Sequence, residues 1–222
     1  AASADLAALP PQRARAERFV LDRQISAGWM HSGYPIMAHL EATTEFTELS
    51  GLLAEGSWGA FHELGHNHQW LPWVLPGTTE ASVNLWSVYV MEEIVGRSRD
   101  LAHPALAPGD RAARIETYLA GGADFWSDWS VWTALETYLQ LQEAFGWGLF
   151  STLFADYREL AVDTSSDSAR IDLWVQSSSE AAGVNLGPFY LAWGFPVSAS
   201  VLDSIDLLPA WADDPMNPQE PP

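Results

Sequence analysis

His62, Glu63 and His66 occupy the pattern HExxH in the run Phe61-His62-Glu63-Leu64-Gly65-His66. On a helix, residues four apart share a face, so the two imidazoles stand one turn apart and suit a single divalent ion as neutral nitrogen ligands. Glu63 is offset from both, where its carboxylate can take a proton from the water that attacks a substrate. The chemistry these types and spacings suit is zinc-dependent hydrolysis. The bland alternative is a surface helix that happens to carry two histidines and an acid.

A hydrolytic zinc site uses three protein ligands and keeps one position open. Glu80 is the expected third ligand, with thirteen residues between it and His66. Asn84 lies one turn beyond Glu80, faces the same way, and can hydrogen-bond a ligand imidazole to fix its tautomer and aim. A polar residue satisfied within a helix bundle is the competing account of Asn84. His68 is two residues from His66, a spacing that does not share a helix face, so it is expected to point away from the ion.

These residues need a helix, a turn and a second helix. Leu71-Pro72-Trp73 and Leu75-Pro76-Gly77 break the first helix, and Thr78 and Thr79 offer an N-cap to the second, which brings Glu80 back toward His66. Downstream, helices are expected over 78–97, 110–120, 128–145, 147–161, 167–181 and 188–206, with Pro196 interrupting the last. Upstream, Pro10-Pro11 introduce an expected short helix over 12–23. Gly28 to Ile36 has β-prone residues and glycines, which suits either a substrate-binding edge strand or a purely structural hairpin. The fold class is mainly α, an α+β zincin with a small N-terminal mixed portion and a C-terminal helical lobe. The domain boundaries follow: residues 1–24 as N-terminal helix or linker, 25–208 as the metal-binding domain, and 209–222 as an acidic Pro-rich tail, expected to be disordered or to lead to another module.

The stretch from Trp58 to Gln69, followed by Gly77-Thr78-Thr79-Glu80 and Asn84-Leu85, closely resembles the gluzincin family of enhancins and mucin-degrading metallopeptidases. Ile25 to Ile36, Tyr138 to Trp147 and Phe189 to Ser198 resemble other segments of the same family, so the likeness covers roughly residues 25–205. The resemblance implies a zinc endopeptidase acting on O-glycosylated, mucin-like proteins, with His62, His66 and Glu80 holding Zn²⁺ and Glu63 as general base. It also implies a secreted or cell-surface bacterial enzyme attached to further domains, with part of the zincin sheet lying outside this chain. The family includes vertebrate relatives that associate with ion channels, so membership alone does not guarantee proteolysis. A non-catalytic glycan- or protein-binding module that keeps zinc, and a zinc aminopeptidase, are the alternatives.

Composition narrows the partners. The 222 residues carry 29 acids against ten basic residues, all arginine, for a formal net charge of −19. That field repels phosphate backbones and anionic headgroups, so neither nucleic-acid binding nor membrane insertion is expected. Cysteine is absent, which rules out a disulfide framework and thiolate chemistry. Twelve tryptophans suggest stacking on sugars, but Trp86, Trp132, Trp147, Trp174 and Trp193 sit in apolar helical patterns and belong to the core. Trp70, Trp73, Trp126 and Trp129 are the expected cleft-wall residues. His31, Tyr34 and Tyr190 are the candidate oxyanion donors or substrate contacts.

Overall fold

A computed structural model of the chain describes residues 1–10, 15–127, 129–160 and 164–217. Twelve α-helices and three strands follow one another among the described residues. The N-terminal part holds α1 (Ala2–Leu6), β1 (Phe19–Asp22), β2 (Met30–His31), β3 (Ile36–His39), α2 (Thr43–Thr47) and α3 (Leu49–Glu55). Next come α4 (Trp58–His66), α5 (Thr79–Val90), α6 (Arg99–Ala102) and α7 (Pro108–Ala120). The chain closes with α8 (Val131–Phe145), α9 (Trp147–Glu159), α10 (Asp167–Ala182), α11 (Gly187–Ala192) and α12 (Ala199–Ile205). The architecture is the expected one, mainly helical with a small mixed portion upstream of α4.

The sheet has the order β1-β3-β2, with β1 parallel and β2 antiparallel to β3. β2 is the edge strand beside α4. A Cβ on Gly59 of α4 would lie 3.1 Å from the Met30 sulfur of β2, so the glycine lets helix and strand edge meet closely. β1 corrects the expected helix over 12–23: Phe19 to Asp22 pair with β3, and the aromatic Phe19 and β-branched Val20 suit a pleated surface better than a helix. Residues 12–14 of that expectation lie outside the described residues.

The main core gathers around α5. Its Leu85, Trp86 and Val88 are fully buried, together with Leu135 and Leu139 of α8, Phe150 and Phe154 of α9, and Trp174 of α10. α1 docks onto the same helix, where Trp86 Nε1 donates to the Ser3 carbonyl at 3.0 Å and Tyr89 donates to Asp5 at 3.1 Å. Leu6 and Ala7 are fully buried, so the first residues of the chain are core and not linker. Past Val90, α5 widens into a π-turn at Met91–Val95, ended by Gly96 at φ +76°. The break between α8 and α9 is Gly146 at φ +75°, a conformation that costs a residue with a Cβ about 1 kcal/mol or more.

At the far end the chain stays packed beyond α12. The Trp211 ring lies 5.1 Å from Phe145 and 5.4 Å from Phe189, Asp214 is buried, and Gln140 donates to the Met216 sulfur at 3.5 Å. The expected disordered tail is therefore corrected as far as Met216, because a tryptophan and a methionine bury too much apolar area to remain in solvent. Residues 218–222 lie outside the described residues.

Glu136 of α8 is fully buried between two cations of α7: Arg111 Nε donates to it at 2.9 Å, and Arg114 forms a second ion pair with it. Arg111 and Arg99 then converge on Glu143, and Arg99 reaches Glu92 in the π-turn, so α5, α7 and α8 share one network. Removing one member strands buried charge. Glu136→Ala is expected to destabilise the fold by about 3 kcal/mol in urea unfolding; a loss below about 1 kcal/mol would contradict a structural role for the pair.

Candidate metal centre

α4 starts at Ser57, whose hydroxyl oxygen accepts from the Ala60 amide at 3.2 Å, and runs only nine residues before Asn67. Nine residues are enough to put His62 and His66 on one face, with their rings edge to face and centroids 4.8 Å apart. α5 begins at Thr79 with Thr78 in the N-cap position, but the Thr78 hydroxyl does not cap the helix. It donates to the Leu75 carbonyl at 2.9 Å and accepts from Tyr138 at 3.3 Å, which anchors the start of α5 to α8.

The close approach of α4 and α5 rests on Gly65. A Cβ there would meet the Val83 carbonyl oxygen at 2.9 Å and the Trp86 Cβ at 3.2 Å. The missing side chain allows Glu80 to reach the histidines: its Oε2 is 3.0 Å from His62 Nε2 and 3.3 Å from His66 Nε2. His62, His66 and Glu80 form the one group of metal-binding type found among the described residues, with all donor atoms within 4.8 Å of one another. The two imidazole side chains are 19% and 16% exposed and the carboxylate 56%, so the cluster opens to solvent on the Glu80 side.

The remaining ring nitrogens reveal what the cluster can hold. The Gln69 amide nitrogen donates to the Thr79 carbonyl and to Ser82 Oγ, each at 2.8 Å. A backbone carbonyl only accepts, so the amide oxygen of Gln69 is the atom turned to His66 Nδ1, at 3.0 Å. That oxygen also only accepts, so Nδ1 carries a proton and, in the neutral ring, Nε2 offers a lone pair. Asn84 Oδ1, 2.7 Å from His62 Nδ1, sets the first histidine the same way. Two lone pairs and a carboxylate oxygen thus face one another, an arrangement that repels unless protons or a cation lie between them. Donors 2.0–2.1 Å from a tetrahedral ion stand about 3.3 Å apart, so the separations of 3.0 and 3.3 Å between the Glu80 oxygen and the two imidazoles suit a small divalent ion.

Glu63 is buried at 8% exposure, and among the described residues no donor is hydrogen-bonded to its carboxylate. His68 is buried and turned away, with Nδ1 2.6 Å from the Leu64 carbonyl. The Asn67 side chain pairs with both the N–H and the carbonyl of Gly33, at 2.9 and 3.0 Å, and so holds the loop after β2 against the end of the metal helix. In that loop Tyr34 is 43% exposed beneath the Arg15 guanidinium, which lies 3.3 Å from the ring centre. These two residues line a hollow of about 230 Å³ with Glu17, Gly33 and Asn67.

Several expected contacts are corrected. Tyr190 is fully buried, bonded to Ser178 at 2.8 Å, and burial raises its hydroxyl pKa well above the ordinary value, so it contacts no substrate. Trp73 is 1% exposed and packed on Phe154 and Tyr157, so it is core and not cleft wall. Trp129 lies half-buried against Phe125 and Trp193. The prolines that turn the chain after α4 drive Trp73 inward, a reversal that composition does not reveal. Trp70 and Trp126 are exposed, at 38% and 59%. His31 spends both ring nitrogens within its own hairpin, on Ser26 and on the Ser32 carbonyl, which leaves Tyr34 as the exposed hydroxyl among the three candidate donors. Gln69 and Gly65 carry structural weight that the sequence did not single out. The spacing from His66 to Gln69, one helical turn at i+3, was the available signal for Gln69.

The sequence pattern described as Peptidase M60, enhancin and enhancin-like, matches residues 1–194. The chain belongs to the M60 peptidase family. Among solved structures, the M60 domain is similar to a mutant of a conserved Bacillus anthracis protein of unknown function, with TM-score 0.80, 26% identity, and coverage of 94% of this chain and 44% of that one. It shares its fold with the catalytic module of the metalloprotease ZmpA from Clostridium perfringens, at TM-score 0.63 and 17% identity over 87% of this chain and 36% of the other. Curated relatives include TRPM8 channel-associated factor 2 of Bos taurus, 53% identical over 97% of this chain, and its namesake from Homo sapiens, 52% identical over 97%. The chain spans about a quarter of the length of these relatives, 24% and 23% respectively. No helix among the described residues is long and apolar enough to cross a membrane.

In an open helix, replacing glycine by alanine stabilises by about 1 kcal/mol. At Gly65 the contacts reverse that sign. Gly65→Ala is expected to cost about 1–3 kcal/mol through overpacking against Val83 and Trp86, measured by urea unfolding; an unchanged or raised stability would show that α4 and α5 are not held apart by a Cβ.

Proposed function

We propose that this M60 domain is a zinc-dependent endopeptidase in which His62, His66 and Glu80 hold the ion and Glu63 is the general base. The observation that carries the proposal is the convergence of three acceptors from two helices, each imidazole turned inward by its own amide partner. Zinc bound there supplies a Lewis acid that polarises the scissile carbonyl and lowers the pKa of water toward about 7. Glu63, one residue from His62 and with no donor hydrogen-bonded to its carboxylate among the described residues, takes the proton of the attacking water and delivers it to the leaving amine nitrogen. Asn84 keeps His62 in the tautomer whose Nε2 faces the ion. The Tyr34 hydroxyl is the proposed donor to the oxygen that gains charge, a contribution of about 3 kcal/mol in comparable sites.

For the substrate we propose an O-glycosylated, mucin-like polypeptide met in a secreted or cell-surface setting. Trp70, four residues beyond His66, offers an exposed indole face for a pyranose. Endopeptidase is favoured over aminopeptidase because, among the described residues, no further carboxylate joins the cluster to bind a free amine. Glu92 is committed to Arg99, at 2.7 and 2.9 Å. A second reading, a protein-binding module that keeps its metal without proteolysis, is favoured by the names of the relatives, which describe channel association and not cleavage.

Glu63→Gln decides between the two. The enzyme reading predicts a fall in cleavage of a mucin-type glycoprotein of about 10²–10⁴-fold with zinc still bound. Zinc bound by both forms with no Glu63-dependent cleavage of any glycoprotein or blocked peptide supports the binding module. Asn84→Ala is expected to weaken zinc binding by about 10–100-fold in calorimetric titration, and an unchanged affinity would remove Asn84 from the site.

A further inference from the structure

We infer that Gln69 is a positioning residue that ties His66 to the first turn of α5, so that two of the three proposed ligands are set by one side chain. The inference rests on the metal-site reading above. One end of the amide accepts from His66 Nδ1 at 3.0 Å, and the other donates to the Thr79 carbonyl and Ser82 Oγ, one residue before and two after Glu80 in the opening turn of α5. The Gln69 backbone N–H meanwhile bonds the Gly65 carbonyl at 2.9 Å, so the side chain springs from the closing turn of the metal helix itself.

The chemistry explains why glutamine suits this position. His66 needs an acceptor at Nδ1 for Nε2 to stay free of its proton, and the Thr79 carbonyl needs a donor. A primary amide has one of each at opposite edges of a planar group. A glutamate keeps the acceptor but sets a negative oxygen against the Thr79 carbonyl. A leucine of similar length supplies neither.

The test measures the metal-free chain as well as the loaded one. In histidine-labelled metal-free protein at a pH where the rings are neutral, long-range nitrogen–proton correlations report the His66 tautomer. The native chain is expected to show the Nδ1–H form. Gln69→Leu is expected to shift His66 toward Nε2–H and to weaken zinc binding by about 10–100-fold, with circular dichroism confirming that the helices persist. Gln69→Glu is expected to retain the Nδ1–H tautomer and to fall between the native and Leu forms in zinc affinity. If Gln69→Leu does not fold, Gln69→Glu decides, since loss of the Nδ1–H form in that variant overturns the assignment. An unchanged tautomer and unchanged zinc affinity in Gln69→Leu likewise overturn the role of Gln69 while leaving the metal site standing. A native chain that binds no zinc overturns the underlying metal reading instead, so the two failures are distinguishable.

Discussion

The contact between α4 and α5 at Gly65 is the constraint on which the candidate site depends. His62 and His66 come from one helix and Glu80 from the other, so their meeting requires backbones close enough that a Cβ would strike the Val83 carbonyl at 2.9 Å. Each helix is held from its far side. β2 lies against α4 through Gly59 and Met30, while α8 anchors the start of α5 through Tyr138 and Thr78. α1 closes over α5 through Ser3 and Asp5, which makes the first residues of the chain part of the scaffold. The site is therefore shaped by packing from three directions, although the donor group found among the described residues is three side chains.

Charge is arranged on the same plan. Three acceptors facing one another form a local negative pole, within a chain of net charge −19 whose field favours a cation over an anion. In the network around α7 and α8 the acids are neutralised in place: Glu136 and Glu143 share Arg111, and Glu92 is taken by Arg99. The contrast distinguishes the two kinds of acidic cluster. In the network of α7 and α8 each carboxylate has a guanidinium, whereas at His62, His66 and Glu80 the amides of Asn84 and Gln69 face the outer ring nitrogens, and the proposed ion would supply the compensating charge.

Much of this was legible because it is local. HExxH, the proline-rich break and Glu80 one helix later are readable as short-range spacing, and the helices from α7 to α12 follow apolar periodicity and glycine breaks with ends shifted by a few residues. Asn84 was legible from its one-turn spacing to Glu80. The rest depends on contacts that spacing does not encode. Phe19 to Asp22 form a strand because Ile36 to His39 pair with them, a partnership that the local signal of Pro10-Pro11 for a helix does not encode. Trp73 and Tyr190 look like any exposed aromatic until Phe154 and Ser178 are seen to close over them. Gln69 looks like a loop residue until the returning chain presents Thr79 and Ser82, and Gly65 looks like a placeholder inside the motif until α5 lies against it.

Anomalous diffraction at the zinc absorption edge, on crystals of the domain grown with zinc, tests the central claim most directly. The account predicts one strong peak about 2.0–2.2 Å from His62 Nε2, His66 Nε2 and a Glu80 oxygen together, with the Nδ1 atoms still on Asn84 and Gln69. A zinc-saturated crystal with no peak at this cluster, or with an ion that both histidines bind while Glu80 lies beyond bonding reach, would contradict it.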